Sequence, residues 1–175
     1  TIHHNLLNRE HFRSFLFEDY HYSTVRFSTR PYKFLSFHLY SRFGKFIYRD
    51  TIPKIGKGHN WDMLIKLQLS TKAELSFSYT KAYLEDLVSR DAYYDGYIWR
   101  AMGKYQFNSK IFLRAIVDYD AFSDTLNIYP LFSYKTGPYT TFFAGVTNTY
   151  TDYGQQFGSI NVNRQYFIKM QYLIK

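Results

Sequence analysis

The chain has 175 residues, a length that is enough for one domain with a core. Hydrophobic residues make up 46% of it, and its formal net charge is +8. It contains no cysteine, which excludes disulfides and thiolate metal sites. No run reaches the ~18 consecutive apolar residues of a membrane helix. The 22 Lys and Arg are scattered rather than clustered, so we expect no nucleic-acid partner.

Aromatic residues make up 22% of the chain, with 19 Tyr and 17 Phe but only 2 Trp. Aromatic side chains favour strands over helices. Tyrosine also suits a boundary between an apolar phase and water, because its ring is apolar and its hydroxyl is polar. The composition therefore favours an all-β protein with aromatic residues at such a boundary.

Residues 1–19 give no firm pattern, and we interpret them as either a lead-in or an extra strand around residues 11–17. From Tyr20 onward, in the region 20–175, apolar and polar residues alternate in runs bounded by turn residues. Pro130 falls inside one of these runs and predicts a bulge. The predicted strands are 20–29, 34–48, 60–70, 73–83, 92–107, 111–119, 125–134, 139–150 and 164–174.

The run 60–70 shows the pattern most clearly. Trp61, Met63, Ile65 and Leu67 alternate with polar residues, and only Leu64 breaks the order. Because side chains on a strand point to opposite faces with period two, this strand has one apolar and one mostly polar face. The same pattern recurs along the chain, and no predicted helix covers the apolar faces.

The predicted connections alternate in length, with longer ones at 49–59, 84–91 and 151–163 and an exception at 120–124. Short turns on one side and longer loops on the other are typical of transmembrane barrels. The shorter connections are 30–33, 71–72, 108–110 and 135–138. We therefore predict an all-β, antiparallel up-and-down transmembrane β-barrel in a bacterial outer membrane, with about nine or ten strands or as the C-terminal part of a larger barrel. Because no signal peptide precedes Thr1, we expect a cleaved N-terminus or a missing upstream part.

This hypothesis assigns each face of the strands to a different environment, with outer-membrane lipid as the first partner. The residues expected to face lipid or its interfaces are Trp61, Met63, Ile65, Leu67, Tyr93, Tyr97, Trp99, Tyr166, Ile168 and Tyr172. The charged residues expected to face the lumen are Lys66, Arg100, Lys104, Arg114, Asp118 and Lys169, with Asp118 beside Arg114.

Alternation alone leaves two other hypotheses open. In a soluble β-barrel the apolar residues would line the interior and bind a small apolar ligand. In a structural surface protein they would form interfaces between subunits. Strand ends rich in Tyr and Phe, together with polar faces rich in Ser, Thr and Gln, favour the membrane hypothesis.

The C-terminal half contains several motifs. Residues 98–108 (IWRAMGKYQFN) lead into 112–117 (FLRAIV), and 126–134 (LNIYPLFSY), Gly137-Pro138 and 165–175 (QYFIKMQYLIK) follow. Over residues 26–175 the chain resembles the C-terminal barrel of an uncharacterised family of Bacteroidota-type outer-membrane proteins. That family pairs a YQF–turn–LR unit with an N-x-L-F-S-Y strand, a Pro-Gly turn and a closing F-x-K-x-x-Y-L strand. This chain has Thr-Gly-Pro at the turn.

The resemblance implies an outer-membrane barrel whose partners include other outer-membrane proteins or an upstream carbohydrate-binding domain of the family-nine type. That domain has no counterpart in this sequence. The family offers no catalytic residues to transfer, so the resemblance implies a non-enzymatic protein that is linked to glycan binding or uptake.

Residue types that could carry chemistry occur without the spacing that chemistry requires, so we predict no enzyme, no cofactor and no metal. Adjacent His3 and His4 would face opposite sides of a strand. The acidic group at 85–95 lacks the spacing of a calcium loop, and residues 54–58 lack that of a phosphate loop. Asp118 and Asp120 form an acid–base pair only if a cleft brings them together. The acidic group consists of Glu85, Asp86, Asp91 and Asp95.

Overall fold

The computed structural model describes residues 1–154 and 158–174, which form ten strands and no helix. The strands are β1 (Ile2–Phe12), β2 (Phe15–Tyr32), β3 (Leu35–Tyr48), β4 (Lys54–Gln68), β5 (Ala73–Asp86), β6 (Ala92–Gln106), β7 (Ile111–Asp120), β8 (Thr125–Lys135), β9 (Thr140–Asp152) and β10 (Ser159–Tyr172). They make one sheet in sequence order, and neighbours run antiparallel. The all-β, antiparallel, up-and-down architecture is therefore confirmed. The described part of the chain offers no helix long and apolar enough to cross a membrane.

The sheet divides into two compact units. The N-terminal unit comprises Thr1–Arg30, Phe37–Leu64 and Tyr79–Tyr97. The C-terminal unit comprises Pro31–Ser36, Ile65–Ser78 and Ile98–Lys175, of which Lys175 lies outside the described residues.

The first hairpin begins in residues 1–19, for which no firm pattern is predicted. β1 and β2 join through a tight turn at 13–14, in which Arg13 has a φ of 54° and Phe12 pairs with Phe15. β2 therefore begins at Phe15 rather than Tyr20, and it continues to Tyr32, through the predicted turn at 30–33. The periodicity is hidden in the sequence because the β1–β2 register shifts twice between Asn5 and Glu10, and each shift interrupts the alternation.

Two strands start earlier than predicted. β4 begins at Lys54 rather than Asn60, and β10 begins at Ser159 rather than Arg164. In β4 the predicted loop was based on Gly56 and Gly58, but these glycines allow a close strand approach. A Cβ on Gly58 would stand 2.0 Å from the Tyr83 carbonyl oxygen.

These longer strands shorten the connections and weaken the predicted alternation of loop lengths. One side of the sheet has connections 33–34, 69–72, 107–110 and 136–139, and the other has 13–14, 49–53, 87–91, 121–124 and 153–158. Apart from 153–158, which is described only in part, no connection in the described chain is longer than the five residues of 49–53 and 87–91. Loop length therefore carries little of the argument for a membrane location.

The predicted bulge at Pro130 is wrong. Pro130 pairs with Ala115 in β7, and the β8–β9 register continues from Ile128 to Leu131 without a shift. Gly145, which pairs with Leu131, leaves space for the Phe167 ring, since a Cβ there would lie 2.4 Å from Phe167 Cζ. Pro130 offers no N–H to the ladder, yet the strand register continues past it.

Few apolar side chains are buried in the described residues. Phe17, Tyr20 and Leu84 are the buried hydrophobic residues, and of these only Leu84 is fully enclosed. Soluble sheets of this size bury one whole face against another layer. Burial in a core therefore does not explain why so many residues of the described chain are apolar.

Substituting Gly58 should destabilise the N-terminal unit. We expect Gly58→Ala to cost about 1–3 kcal/mol, because a methyl group there would overlap the backbone of β5. Unfolding monitored by circular dichroism measures the change. Gly137→Ala is the matched control, since nothing lies within 4 Å of its Cβ position. Equal stability of both variants would contradict the close approach of β4 and β5.

Candidate functional site

One face of the C-terminal unit is continuously apolar. The register across β6 to β10 aligns one row of Tyr105, Leu113, Phe132, Ala144 and Ile168. Neighbouring rows on this face, which we call the apolar face, contain Ala101, Ile111, Ala115, Val117, Ile128, Tyr134, Phe142, Val146, Tyr166 and Met170. No register shift interrupts the pairs within these rows, so the apolar side chains of neighbouring strands lie next to each other and form one surface.

The opposite face, which we call the polar face, is mixed. One cross-strand row contains Arg100, Asp118, Asn127 and Thr149. A second row contains Lys104, Arg114, Leu131 and Phe167. A third row contains Gln106, Phe112, Ser133, Phe143 and Lys169. Several apolar side chains thus lie among the charges, and the polar character comes from ion pairs and hydrogen bonds. One such bond joins Thr149 Oγ1 to Asn127 Oδ1 at 2.8 Å.

The exposure of the two faces is the reverse of that in a soluble sheet. On the apolar face of the central strands Leu113 is 39% exposed and Phe132 is 42% exposed. On the polar face Asp118 is 8% exposed and Ser133 is 7% exposed. Monomeric soluble proteins seldom expose a contiguous apolar surface of this extent, which marks an interface with a membrane or a partner.

Aromatic rings lie at both margins of the apolar face. Tyr105, Tyr134 and Tyr172 stand towards the connections 107–110 and 136–139 and the end of β10. Towards the other side, Trp99 and Tyr119 are cross-strand partners whose rings lie 6.3 Å apart. The row that contains Ala101, Val117 and Ile128 ends in polar residues on β9 and β10, where Arg164 Nε donates to Asn148 Oδ1 at 2.8 Å.

The predicted lipid-facing residues follow this pattern within their strands. On β4, Trp61 is exposed and Met63, Ile65 and Leu67 are half-buried. On β6 and β10, Trp99, Tyr166 and Ile168 lie on the apolar face, and Tyr172 lies at its margin. In the N-terminal unit the ring of Tyr97 stacks on Tyr79 at 5.8 Å, and Tyr93 stacks on Tyr48 at 4.2 Å.

Three of the six charged residues that are predicted to face the lumen, Arg100, Asp118 and Lys104, form two ion pairs. Arg100 Nη2 contacts Asp118 Oδ2 at 2.7 Å, and Lys104 Nζ contacts Glu74 Oε1 at 2.9 Å. The prediction that Asp118 lies beside Arg114 is wrong, because the β6–β7 register places Asp118 opposite Arg100. Alternation with Leu75 places Glu74 on the polar side of its strand, but the predicted lumen charges do not include it.

The remaining predicted lumen cations have no carboxylate partner among the described residues. They are Lys66, Arg114 and Lys169. Arg114 stands across from Lys104, and its Nε is buried without a hydrogen-bond partner. The polar face therefore carries an excess of positive charge in this region.

The other candidate groups are engaged locally. His3 pairs with Thr24 and His4 with Ser23, which places the two rings on opposite faces. Asp120 accepts a hydrogen bond from the Phe122 N–H at 2.8 Å rather than joining Asp118. Residues 54–58 lie in β4. The described part of the chain contains no group of three or more metal-ligating side chains.

The acidic group at 85–95 is held by protein donors. Asp86 accepts from the Tyr93 hydroxyl and the N–H groups of Val88 and Ser89, which lowers the pKa of its carboxyl from 3.8 to about 2. The same bond raises the pKa of Tyr93 to about 12. Glu85 accepts from Tyr83 and pairs with Arg90, and both lower its pKa. These contacts fix the connection 87–91 between β5 and β6.

Comparisons with known proteins add no assignment. No protein-family model matches the chain, and no curated protein matches it.

The hydrogen bond between Tyr93 and Asp86 gives a testable pH dependence. Because the folded-state pKa of Asp86 is below 3.8, its ionised form stabilises the 87–91 connection above that pH, and this contribution is lost as the pH falls towards 2. We expect Tyr93→Phe to raise the pKa of Asp86 but leave it below 3.8, since the bonds from Val88 and Ser89 remain.

A pH titration of carboxyl ¹³C shifts measures this change. Tyr83→Phe is the control, because it removes the donor to Glu85 and should raise the pKa of Glu85 alone. A Tyr93→Phe protein with an unchanged Asp86 titration would disprove the assignment.

Proposed function

We propose that this chain is an outer-membrane β-barrel protein, or the barrel portion of one, and that it serves without catalysis as a membrane anchor or conduit. The observation that supports the proposal most directly is the exposed apolar face of the C-terminal unit opposite a polar face with partly buried ion pairs. Water is a poor solvent for such a surface, since each large apolar side chain gains about 1.5–3 kcal/mol on leaving it. Lipid hydrocarbon is the solvent that matches it.

The dimensions of the apolar face suit a bilayer. A tilted transmembrane strand needs ~9–11 residues, and β7 has 10 residues, while β8 has 11. The apolar side chains of β7 run from Ile111 to Tyr119, with tyrosine and tryptophan at the margins. Aromatic girdles at both interfaces flank the apolar band of outer-membrane barrels.

A membrane location also sets a condition on the sheet edges. β1 and β10 stand at the two ends of the strand order. In hydrocarbon an open edge would leave backbone N–H and C=O groups unpaired at a cost of several kcal/mol each. The proposal therefore requires either closure of this sheet into a ten-stranded barrel or further strands from a larger barrel.

The resemblance to Bacteroidota-type outer-membrane proteins supports the same location and suggests a role in glycan binding or uptake. In this proposal the polar face lines a lumen, and its unpaired cations would favour anions if a pore is open. The alternative soluble barrel and structural surface protein place the apolar residues against protein instead, and both are outcomes of the experiments below.

Lipid contact can be measured one residue at a time, because the chain has no native cysteine. We expect a fluorophore on Ile65→Cys to be quenched by spin-labelled lipid in reconstituted vesicles. A fluorophore on Lys66→Cys should instead be quenched by iodide from the aqueous phase, since neighbouring residues face opposite sides. The same contrast should hold between Leu113→Cys and Arg114→Cys. Absence of lipid quenching at both Ile65 and Leu113 would overturn the membrane proposal.

An arginine introduced on one face of β4 should lower the free energy of unfolding by a different amount from an arginine introduced on the other face. We expect Ile65→Arg to destabilise the folded protein in lipid by ~2–4 kcal/mol near the bilayer midplane, and by less near an interface. Leu64→Arg, the neighbouring control on the polar face, should cost much less, because water reaches that face. Folding into vesicles of defined composition, followed by urea titration, measures both. A protein that remains monodisperse in buffer without detergent would contradict the proposal irrespective of either variant.

A further inference from the structure

The N-terminal unit contains a pocket lined entirely by polar and aromatic side chains. It has a volume of about 270 Å³ and lies between alternate residues of three neighbouring strands. β1 contributes His3 and Asn5, β2 contributes Tyr22 and Arg26, and β3 contributes Tyr40 and Arg42. Because residues two apart on a strand share a face, all of these side chains stand on one side of the sheet.

Aromatic rings hold both guanidinium groups. The Arg26 Cζ lies 5.2 Å from the centroid of the Tyr40 ring, and the Arg42 Cζ lies 5.9 Å from Tyr22 and 5.4 Å from Phe46. Stacking on a ring face leaves the N–H groups at the edge of the guanidinium plane available as donors. The rings thus fix the positions of two cations without neutralising their charge.

The pocket contains no carboxylate that could neutralise these cations. Among the described residues neither Arg26 nor Arg42 forms a salt bridge. The Nε of Arg42 is buried without a hydrogen-bond partner. On the same face of β4, Asp62 instead accepts a hydrogen bond from Thr80 Oγ1 at 2.9 Å. The side-chain oxygen of Asn60 accepts from Arg42 Nη2 at 3.2 Å, and the other side-chain donors of the two arginines have no counter-ion in the pocket. An unmade buried hydrogen bond is costly.

We propose that this pocket binds a small soluble oxyanion that carries phosphate or carboxylate groups. Arginine presents a planar set of donors that matches both groups, and charge-assisted bonds of this kind are among the strongest in proteins. The ligand is soluble rather than a lipid headgroup, because the pocket lies on the face opposite the apolar side chains of Val25 on β2 and Phe43 on β3. The volume limits the ligand to a small molecule.

The test is calorimetric titration of the full chain with pyrophosphate and, separately, with citrate, in phosphate-free buffer with an uncharged detergent. We expect saturable binding of at least one of these anions. Arg26→Gln and Arg42→Gln should each weaken it roughly 10- to 100-fold, the loss of one charge-assisted contact. Arg26→Lys should weaken it less, because it keeps the charge but loses the planar donor set.

Arg9→Gln is the matched control, since it removes the same charge from β1 at an exposed side chain that pairs with Glu18 at 2.8 Å. It should change the affinity less than about twofold, as a screened surface charge does. Circular dichroism confirms folding of each variant. If Arg42→Gln does not fold, the two Arg26 variants decide the question.

Two results would overturn the proposal. One is a wild-type protein that binds neither anion saturably. The other is a loss of affinity in Arg9→Gln equal to that in Arg26→Gln, which would show diffuse attraction instead of a site. If the protein proves soluble without detergent, the same titration is carried out in plain buffer, so failure of the membrane proposal leaves this test intact.

Discussion

The fixed register of neighbouring strands is the constraint on which the rest of this structure depends. In an antiparallel sheet a slip of one residue moves every side chain of a strand to the other face. From β6 to β9 no such slip occurs, so most apolar residues of the apolar face meet apolar residues of the next strand. Rows such as Tyr105, Leu113 and Phe132 turn a weak pattern in each strand into one extended surface.

That surface changes what stabilises the protein. A soluble domain gains most of its stability from an apolar core, yet in the described residues Leu84 is the one fully buried large apolar side chain. The ladder of backbone hydrogen bonds and the contacts of the polar face, such as Arg100 with Asp118, therefore hold the strands together. The apolar face gains stability only from whatever medium or partner covers it, and we propose that lipid does so.

The roles of Gly58, Arg26 and Arg42 cannot be recognised from the residues next to them in the sequence. Gly58 resembles a loop residue in sequence, but it lies in a strand and lets the backbone of β5 approach. Arg26 and Arg42 resemble scattered surface charges, since they are 16 positions apart in the sequence. Only the pairing of β2 with β3 brings them to one pocket, where Tyr22 and Tyr40 position them. In each case the decisive neighbour belongs to another strand.

The all-β class, most of the strands and the face of most side chains after Tyr20 could be predicted from the sequence alone, because a strand's period of two is a local property. The sequence by itself could not determine the ends of β2, β4 and β10, the unbroken register at Pro130 or the partner of Asp118. Those features depend on residues across the ladder, such as Arg100 opposite Asp118. The exposure of the apolar face was likewise decided only by the tertiary structure, because alternation is identical whether a face points towards a core or away from it.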